Sequence, residues 1–182
     1  MVRELARFWQ VRFWEALGEL GMNRVSCAIA LGANLGEPQA TLEAALVVLE
    51  QHPQISLEAS SSWYLTAAIG PPQPDYVNGV AVVTTQLSPS ALMAQLLEIE
   101  NQFGRVRRER WGARTLDLDL LLFGDVILAT PDLTIPHPRM YDRAFVLVPL
   151  AEIAPHWCDP VSGQTIQALA KAIDRSGVRQ ML

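Results

Sequence analysis

The sequence predicts one α+β domain, an antiparallel sheet with two helices packed on one face. Two observations carry this. Short apolar or β-branched runs (VSCAIAL, YVNGVAVVTT, TLDLDLLLF) recur with Gly, Pro or Asn near their ends, as strands do. Between them lie two segments whose leucines return at three- and four-residue spacing behind a proline, as in amphipathic helices. With 182 residues, half of them apolar, the chain is long enough to bury a core.

Taken in order, Val25 to Leu31 reads as a central strand ending at Gly32, and Gly32, Asn34 and Gly36 make a turn. Pro38 opens a helix whose Leu42, Ala45, Leu46 and Leu49 face inward until His52-Pro53 stops it. Ile55 to Leu65 is extended and Ser-rich. Thr66 to Asp75, with Gly70 and three prolines, is an irregular loop. Tyr76 to Thr85 is a strand with Gly79 expected at a bulge. Ser88 caps a second helix with Pro89 in its first turn and Leu92, Leu96, Ile99 and Phe103 buried, ending at Gly104. After an arginine-rich loop, Thr115 to Phe123 is extended, and Gly124-Asp125 is expected to turn it into a hairpin with Val126 to Leu128. The order βαββαβ is that of the ferredoxin-like split βαβ fold, with helices on one face and the opposite face free for a ligand. A Pro-punctuated C-terminal extension follows, with helices expected through Arg143 to Leu150 and near Thr165 to Ile173.

Residues 1–24 stand apart from the domain expected at 25–182. Leu5, Phe8, Trp9, Phe13, Leu17 and Leu20 recur at helical spacing, while Glu4, Arg7, Arg12 and Glu15 interrupt any signal-peptide core. The segment reads as an amphipathic helix or a mis-assigned start, with Met22, just before the first strand, as the alternative start. A membrane-surface or partner-docking role for it is left open. No apolar run reaches the roughly 18 to 20 residues that span a bilayer, so a soluble protein, with no membrane partner, is expected. Cys27 and Cys158 form no CxxC pair, fit a reducing cytoplasm and are expected as buried, inert thiols.

The net charge of −5 argues against generic nucleic-acid binding, so any anion site is local. One such place is conspicuous. Arg105, Arg107, Arg108, Arg110 and Arg114 crowd a single loop in a chain with one lysine, Lys171. Guanidinium forks stay charged and grip phosphate oxygens in pairs, so this density points to a polyanionic ligand rather than a solvated charge run. Directly after it, Asp117 and Asp119 alternate with leucines on a strand, which sends both carboxylates to one face roughly 7 Å apart. Paired acids repel unless a cation or proton neutralises them, and hard oxygen ligands favour Mg²⁺ over zinc. No P-loop and no GxGxxG is present, leaving metal and arginine to hold any phosphate. Tyr76, Asn78, Trp111 and Phe145 together suit a flat heterocycle, although singly each is what core packing supplies. His137, between two prolines, has no partners for a zinc site.

The stretches ALGANLG (Ala30–Gly36), GPPQPDYVN (Gly70–Asn78), RWGARTLDLDLLLFG (Arg110–Gly124) and LTIPHPRMYDRAFVLVPL (Leu133–Leu150) together resemble the 6-hydroxymethyl-7,8-dihydropterin pyrophosphokinase family of folate biosynthesis. The resemblance runs from Val25 to about Pro155. It implies a ferredoxin-like fold and transfer of pyrophosphate from ATP to the pterin hydroxymethyl group, with release of AMP. It further implies two Mg²⁺ ions on Asp117 and Asp119, and Arg105 and Arg114 engaging the phosphates. Glu100, Arg107, Arg110, Thr134, His137 and Arg143 would be ATP contacts, with Arg107 and Arg110 on a closing loop. The pterin would stack between Tyr76 and Phe145, bonded by Asn78 and the loop near Thr66, with Trp111 closing over it. Ala113, Ala67 and Ala68 stand where the family often has proline, loosening backbone restraint without removing a functional group. Asp132 stands where some members place arginine.

The expected partners are the two small-molecule substrates, with no nucleic acid and a monomeric state. An alternative reading is a single-stranded RNA-binding module, in which sheet aromatics stack bases. Its binding would be salt-sensitive and indifferent to Asp117→Ala.

Overall fold

The computed structural model describes residues 24–68, 70–105 and 112–181. The helix expected at 1–24 falls outside them apart from Arg24. The elements run β1 (Val25–Ala33), α1 (Pro38–Gln51), β2 (Ile55–Ser60), β3 (Tyr64–Thr66), β4 (Tyr76–Thr85), α2 (Pro89–Gln102) and β5 (Asp117–Phe123). Then come β6 (Leu128–Ala129), β7 (Thr134–Ile135), a 3₁₀ turn (Met140–Asp142), α3 (Ala144–Ile153), α4 (Ile166–Ala172) and β8 (Val178–Gln180). The capping signals act locally as their chemistry requires. Ser88 Oγ accepts the Ala91 N–H at 3.2 Å, with Pro89 behind it where no donor is needed. Thr165 Oγ1 does the same for Ala168 at the start of α4.

The main sheet is antiparallel in the order β5-β1-β4-β3-β8, and β2 pairs with the far end of β4. Alternation then sorts each strand into two faces. Cys27, Ile29, Leu31 and Ala33 of β1 join Val77 and Val83 of β4 and Leu118 and Leu120 of β5 in a core beneath α1 and α2, whose Leu42, Leu49, Leu92 and Leu96 are fully buried. Burial of side chains of this size is worth about 2 kcal/mol each.

The opposite face is not free as expected. Ala28, Val80, Val82 and Leu122 form a second core with Val146, Leu147 and Leu150 of α3 and Ile166 and Ala170 of α4. Helices therefore lie on both faces, and among the described residues the end of the second face holding Ala30 and Gly32 stays open. The hairpin expected after Gly124-Asp125 does not form with β5. Instead β6 pairs with β7 in a separate two-stranded ribbon, and the outer edge of β5 is met by the His137 N–H, which donates to the Leu121 carbonyl. Gly79 lies in regular register opposite Leu31, not at a bulge. Its reason is space, since a Cβ there would stand 2.6 Å from the Trp63 ring. Bulges fall instead at Ala28/Ile29 and Leu57/Ala59. Cys27 is buried, and burial pushes its thiol pKa up; Cys158 is exposed, on the turn after α3, where its backbone bridges Thr165.

The C-terminal segment returns to the sheet through β8, and a single carboxylate stitches the seam. Glu152, near the end of α3, accepts from Ser62 N–H (3.0 Å), Ser62 Oγ (2.8 Å) and Tyr64 Oη (2.8 Å), while Gln180 of β8 donates to Ser62 Oγ. Burial pushes the Glu152 carboxyl up, but these bonds to the ionised form outweigh it and hold the pKa below the ordinary value of 4.5. A lowered carboxylate stabilises the fold above its unfolded pKa and loses that contribution as pH falls through the folded one. Glu152→Gln is therefore expected to cost about 1 kcal/mol at neutral pH, the group being largely exposed. The difference should shrink in urea melts below the ordinary carboxylate range; a gap that stays constant there would contradict this account.

Candidate active site

The open end of the second face is floored by small residues of β1. Ala30 sits opposite Val80 and Asp119, and Gly32 opposite Asn78 and Asp117. A Cβ at Gly32 would stand 3.0 Å from Asn78 Oδ1, so glycine here keeps the floor low. Above it opens a cleft of about 1500 Å³ whose lining includes Thr66, Tyr76, Asn78, Arg114, Arg143 and Phe145.

Asp117 and Asp119 share the cleft face of β5, while Leu116, Leu118 and Leu120 are buried on the other. Each acid meets arginine. Asp117 Oδ1 pairs with Arg105 Nη2 at 2.8 Å and also with Arg114 Nη1. Asp119 Oδ2 accepts from Arg143 Nη1 at 3.2 Å, and His137 Nε2 lies 3.7 Å away. Burial holds the His137 pKa below its ordinary value against the opposing pull of Asp119, leaving the ring neutral at pH 7. Its Nδ1 accepts the Arg139 N–H, which directs the other nitrogen to Asp119.

Glu100 is placed differently from a ligand contact. It is 1 % exposed, beneath β5, where Oε1 accepts the Leu118 N–H at 2.7 Å between the two aspartates and Oε2 pairs with Arg105. The helix α2 thus fixes both the strand backbone that aims the acids and the first arginine of the loop. A signal for this was present in the sequence. Glu100 follows Leu96 by four residues and so lies on the buried stripe of α2, an acid that burial alone would not tolerate unpaired.

Asn34 is a residue the sequence reading left as a turn. It is 2 % exposed, its Oδ1 accepts the Arg114 N–H at 2.8 Å, and its Nδ2 donates to Gln73 Oε1 (3.0 Å) and the Pro74 carbonyl (2.9 Å). One amide therefore ties the loop before β4 to the approach of β5. Asn78 Nδ2 donates to Thr66 Oγ1 at 2.7 Å, and Tyr76 Oη donates to the Gly112 carbonyl at 3.1 Å. The Arg143 guanidinium lies 5.5 Å over the Phe145 ring.

Of the residues singled out from sequence, Arg105, Arg114, Asp117, Asp119, Arg143, Thr66, Tyr76, Asn78 and Phe145 line one cleft. His137 touches it through Asp119, and Thr134 is exposed on β7, off the lining. Arg107, Arg110 and Trp111 lie outside the described residues. Two carboxylates with cleft-facing oxygens fit a hard divalent cation that takes the rest of its oxygens from water and phosphate. Among the described residues no larger cluster of Asp, Glu, His or Cys would enclose an ion by protein ligands alone.

An acid pair ringed by guanidinium groups over a small-residue floor defines a polyanion-handling cleft on an antiparallel α+β scaffold. The model of the 7,8-dihydro-6-hydroxymethylpterin-pyrophosphokinase (HPPK) family matches residues 28–155, and the chain belongs to this family. Curated relatives carry the name 2-amino-4-hydroxy-6-hydroxymethyldihydropteridine pyrophosphokinase. That of Synechocystis is 51 % identical over 82 % of this chain and 77 % of its own length. That of Haemophilus influenzae is 49 % identical over 81 % and 92 %. In fold, the chain is similar to a Plasmodium falciparum HPPK-DHPS crystal structure, with TM-score 0.70 and 15 % identity over 87 % of this chain. The chain spans 43 % of the length of that larger protein.

Proposed function

We propose that this protein transfers pyrophosphate from ATP to 6-hydroxymethyl-7,8-dihydropterin, releasing AMP, as a step of folate biosynthesis. Family membership supports the reaction. The observation that carries the site assignment is the arginine-paired couple Asp117 and Asp119 on one cleft face. The strand order β5-β1-β4 followed by β2 and β3 supports the ferredoxin-like reading of the scaffold, with the C-terminal segment as an addition to it. Residues 25–182 form the pyrophosphokinase domain in this reading.

Arg105, Arg114 and Arg143 pair with the two acids, and the same guanidinium groups bind the ATP phosphates. Asp117 and Asp119 would hold Mg²⁺, two ions by family resemblance, which supplies charge neutralisation for the transferred group. The pterin lies between Tyr76 and Phe145. Asn78, its Nδ2 engaged by Thr66, keeps Oδ1 to accept from the ring edge. So placed, the hydroxymethyl oxygen forms its bond to the β-phosphorus and releases its proton to water, as the bond between that phosphorus and the α,β-bridging oxygen breaks and AMP departs with that oxygen. Positioning and charge neutralisation supply most of what such a loose transition state needs. Glu100 acts by holding Arg105, and His137 by facing Asp119. Roles for Arg107, Arg110, Trp111 and Thr134 rest on the resemblance alone.

The test is product analysis. Protein given ATP and the pterin alcohol is expected to make AMP and the pterin diphosphate in equal amounts, and a chain beginning at Met22 should do so at a similar rate. ADP as the nucleotide product would refute the reaction; loss of activity on truncation would refute the domain assignment.

A further inference from the structure

Asp159 lies beyond the family match, yet it is 0 % exposed and bonded to a segment of the cleft. Its Oδ1 accepts from Tyr141 Oη at 2.8 Å, and its Oδ2 accepts from Ser162 N–H at 2.8 Å and Ser162 Oγ at 2.6 Å. Its own backbone closes the same turn, Asp159 N–H donating to the Gln164 carbonyl and Gly163 N–H to the Asp159 carbonyl. Gly163 takes the left-handed conformation at φ +69, which lets so tight a turn close around one carboxylate. Tyr141 sits in the middle of the 3₁₀ turn Met140–Asp142, and the residues flanking it, Arg139, Asp142 and Arg143, line the cleft. Arg143 is the one that reaches Asp119.

We infer that Asp159 and Tyr141 are positioning residues for the nucleotide, clamping the 3₁₀ turn so that the Arg143 guanidinium is held beside the acid pair. The inference rests on the phosphate role proposed above for Arg143. A phenol pushed up by burial and by its bond to Asp159 remains a donor at any working pH. Burial pushes the Asp159 carboxyl up, but the Ser162 and Tyr141 bonds outweigh it, so it remains an acceptor. The bond is not what folds the turn. Met140 is fully buried, and the backbone bonds Met140 N–H to His137 and Arg143 N–H to Met140 persist without the phenol oxygen. Phe145 meets Arg143 through its ring face, but its place is set by α3, beside the buried Val146 and Leu147. The two substrates should therefore respond differently.

Tyr141→Phe removes one oxygen and keeps the ring in the core. Its Kd for a non-hydrolysable ATP analogue with Mg²⁺ is expected to rise roughly fivefold to tenfold, with the pterin Kd unchanged and the melting temperature within a few degrees of wild type. Asp159→Asn, which disturbs the carboxylate end of the same bond, should shift the analogue Kd in the same direction. An unchanged analogue Kd in folded Tyr141→Phe would overturn the inference, and so would a parallel weakening of both substrates. AMP formation by the wild-type protein is scored separately, so a failure of the proposed reaction is distinguishable from a failure of the clamp.

Discussion

Asp117→Ala and Asp119→Ala are each expected to lower turnover by about three orders of magnitude or more while leaving the protein folded. Each acid faces the cleft from β5 and none of the core depends on it, so the sheet survives its removal. Its present partners are arginines of the same cleft, and those pairs are partly exposed, at 22 % for Asp117 and 30 % for Asp119. The arginines are less exposed, 10 % for Arg105 and 18 % for Arg143, so losing one acid costs about 2 kcal/mol, which the two cores withstand. In the proposed reaction the catalytic loss is of another order, because the two acids would hold the divalent cations that position the triphosphate for transfer. Near-normal turnover in both variants, measured with saturating Mg²⁺ and both substrates, would contradict the assignment.

Glu100→Ala is expected to give the largest loss of stability, about 3 kcal/mol in urea unfolding. The substitution strands the buried Leu118 N–H, leaves Arg105 with Asp117 alone and opens space under β5. Glu100→Gln separates the bond from the charge. Burial raises the Glu100 pKa, although the Leu118 and Arg105 bonds oppose this. A raised carboxyl stabilises the fold fully below its unfolded pKa and loses that contribution as pH rises through the folded value. At neutral pH the charge itself is thus a cost, and glutamine can still accept from Leu118. Glu100→Gln should stay within about 1 kcal/mol of wild type. Equal destabilisation by the two variants would show that the charge, not the hydrogen bond, is what β5 requires.

Local signals carried much of the fold. The bounds of β4 and the starts of α1 and α2 follow from β-branched runs and from proline and serine at helix entry, and these are properties of neighbouring residues. The alternation Asp117-Leu118-Asp119 likewise fixed which acids share a face. Long-range choices were not written locally. Gly124-Asp125 has turn chemistry, but nothing nearby says that β6 must pair with β7 rather than with β5. The apolar run of α3 announced a buried helix without announcing which sheet face it would cover. Asn34 and Gly79 read as turn and bulge because their reasons, a bracing amide between two loops and the Trp63 ring, lie about 16 to 80 residues away in sequence. Glu100 shows the intermediate case, since its place on the apolar stripe of α2 marked it as buried while the meaning of that burial needed β5.

The claim on which the rest depends is that Asp117 and Asp119 hold divalent cations where Arg105, Arg114 and Arg143 hold phosphate. Titration of Mn²⁺, followed by its electron paramagnetic resonance, into the protein with a non-hydrolysable ATP analogue tests it most directly. Wild type should bind two Mn²⁺ per chain in the ternary complex, and the Asp117→Ala/Asp119→Ala double variant should lose both. A double variant that still binds two ions with wild-type affinity would contradict the account.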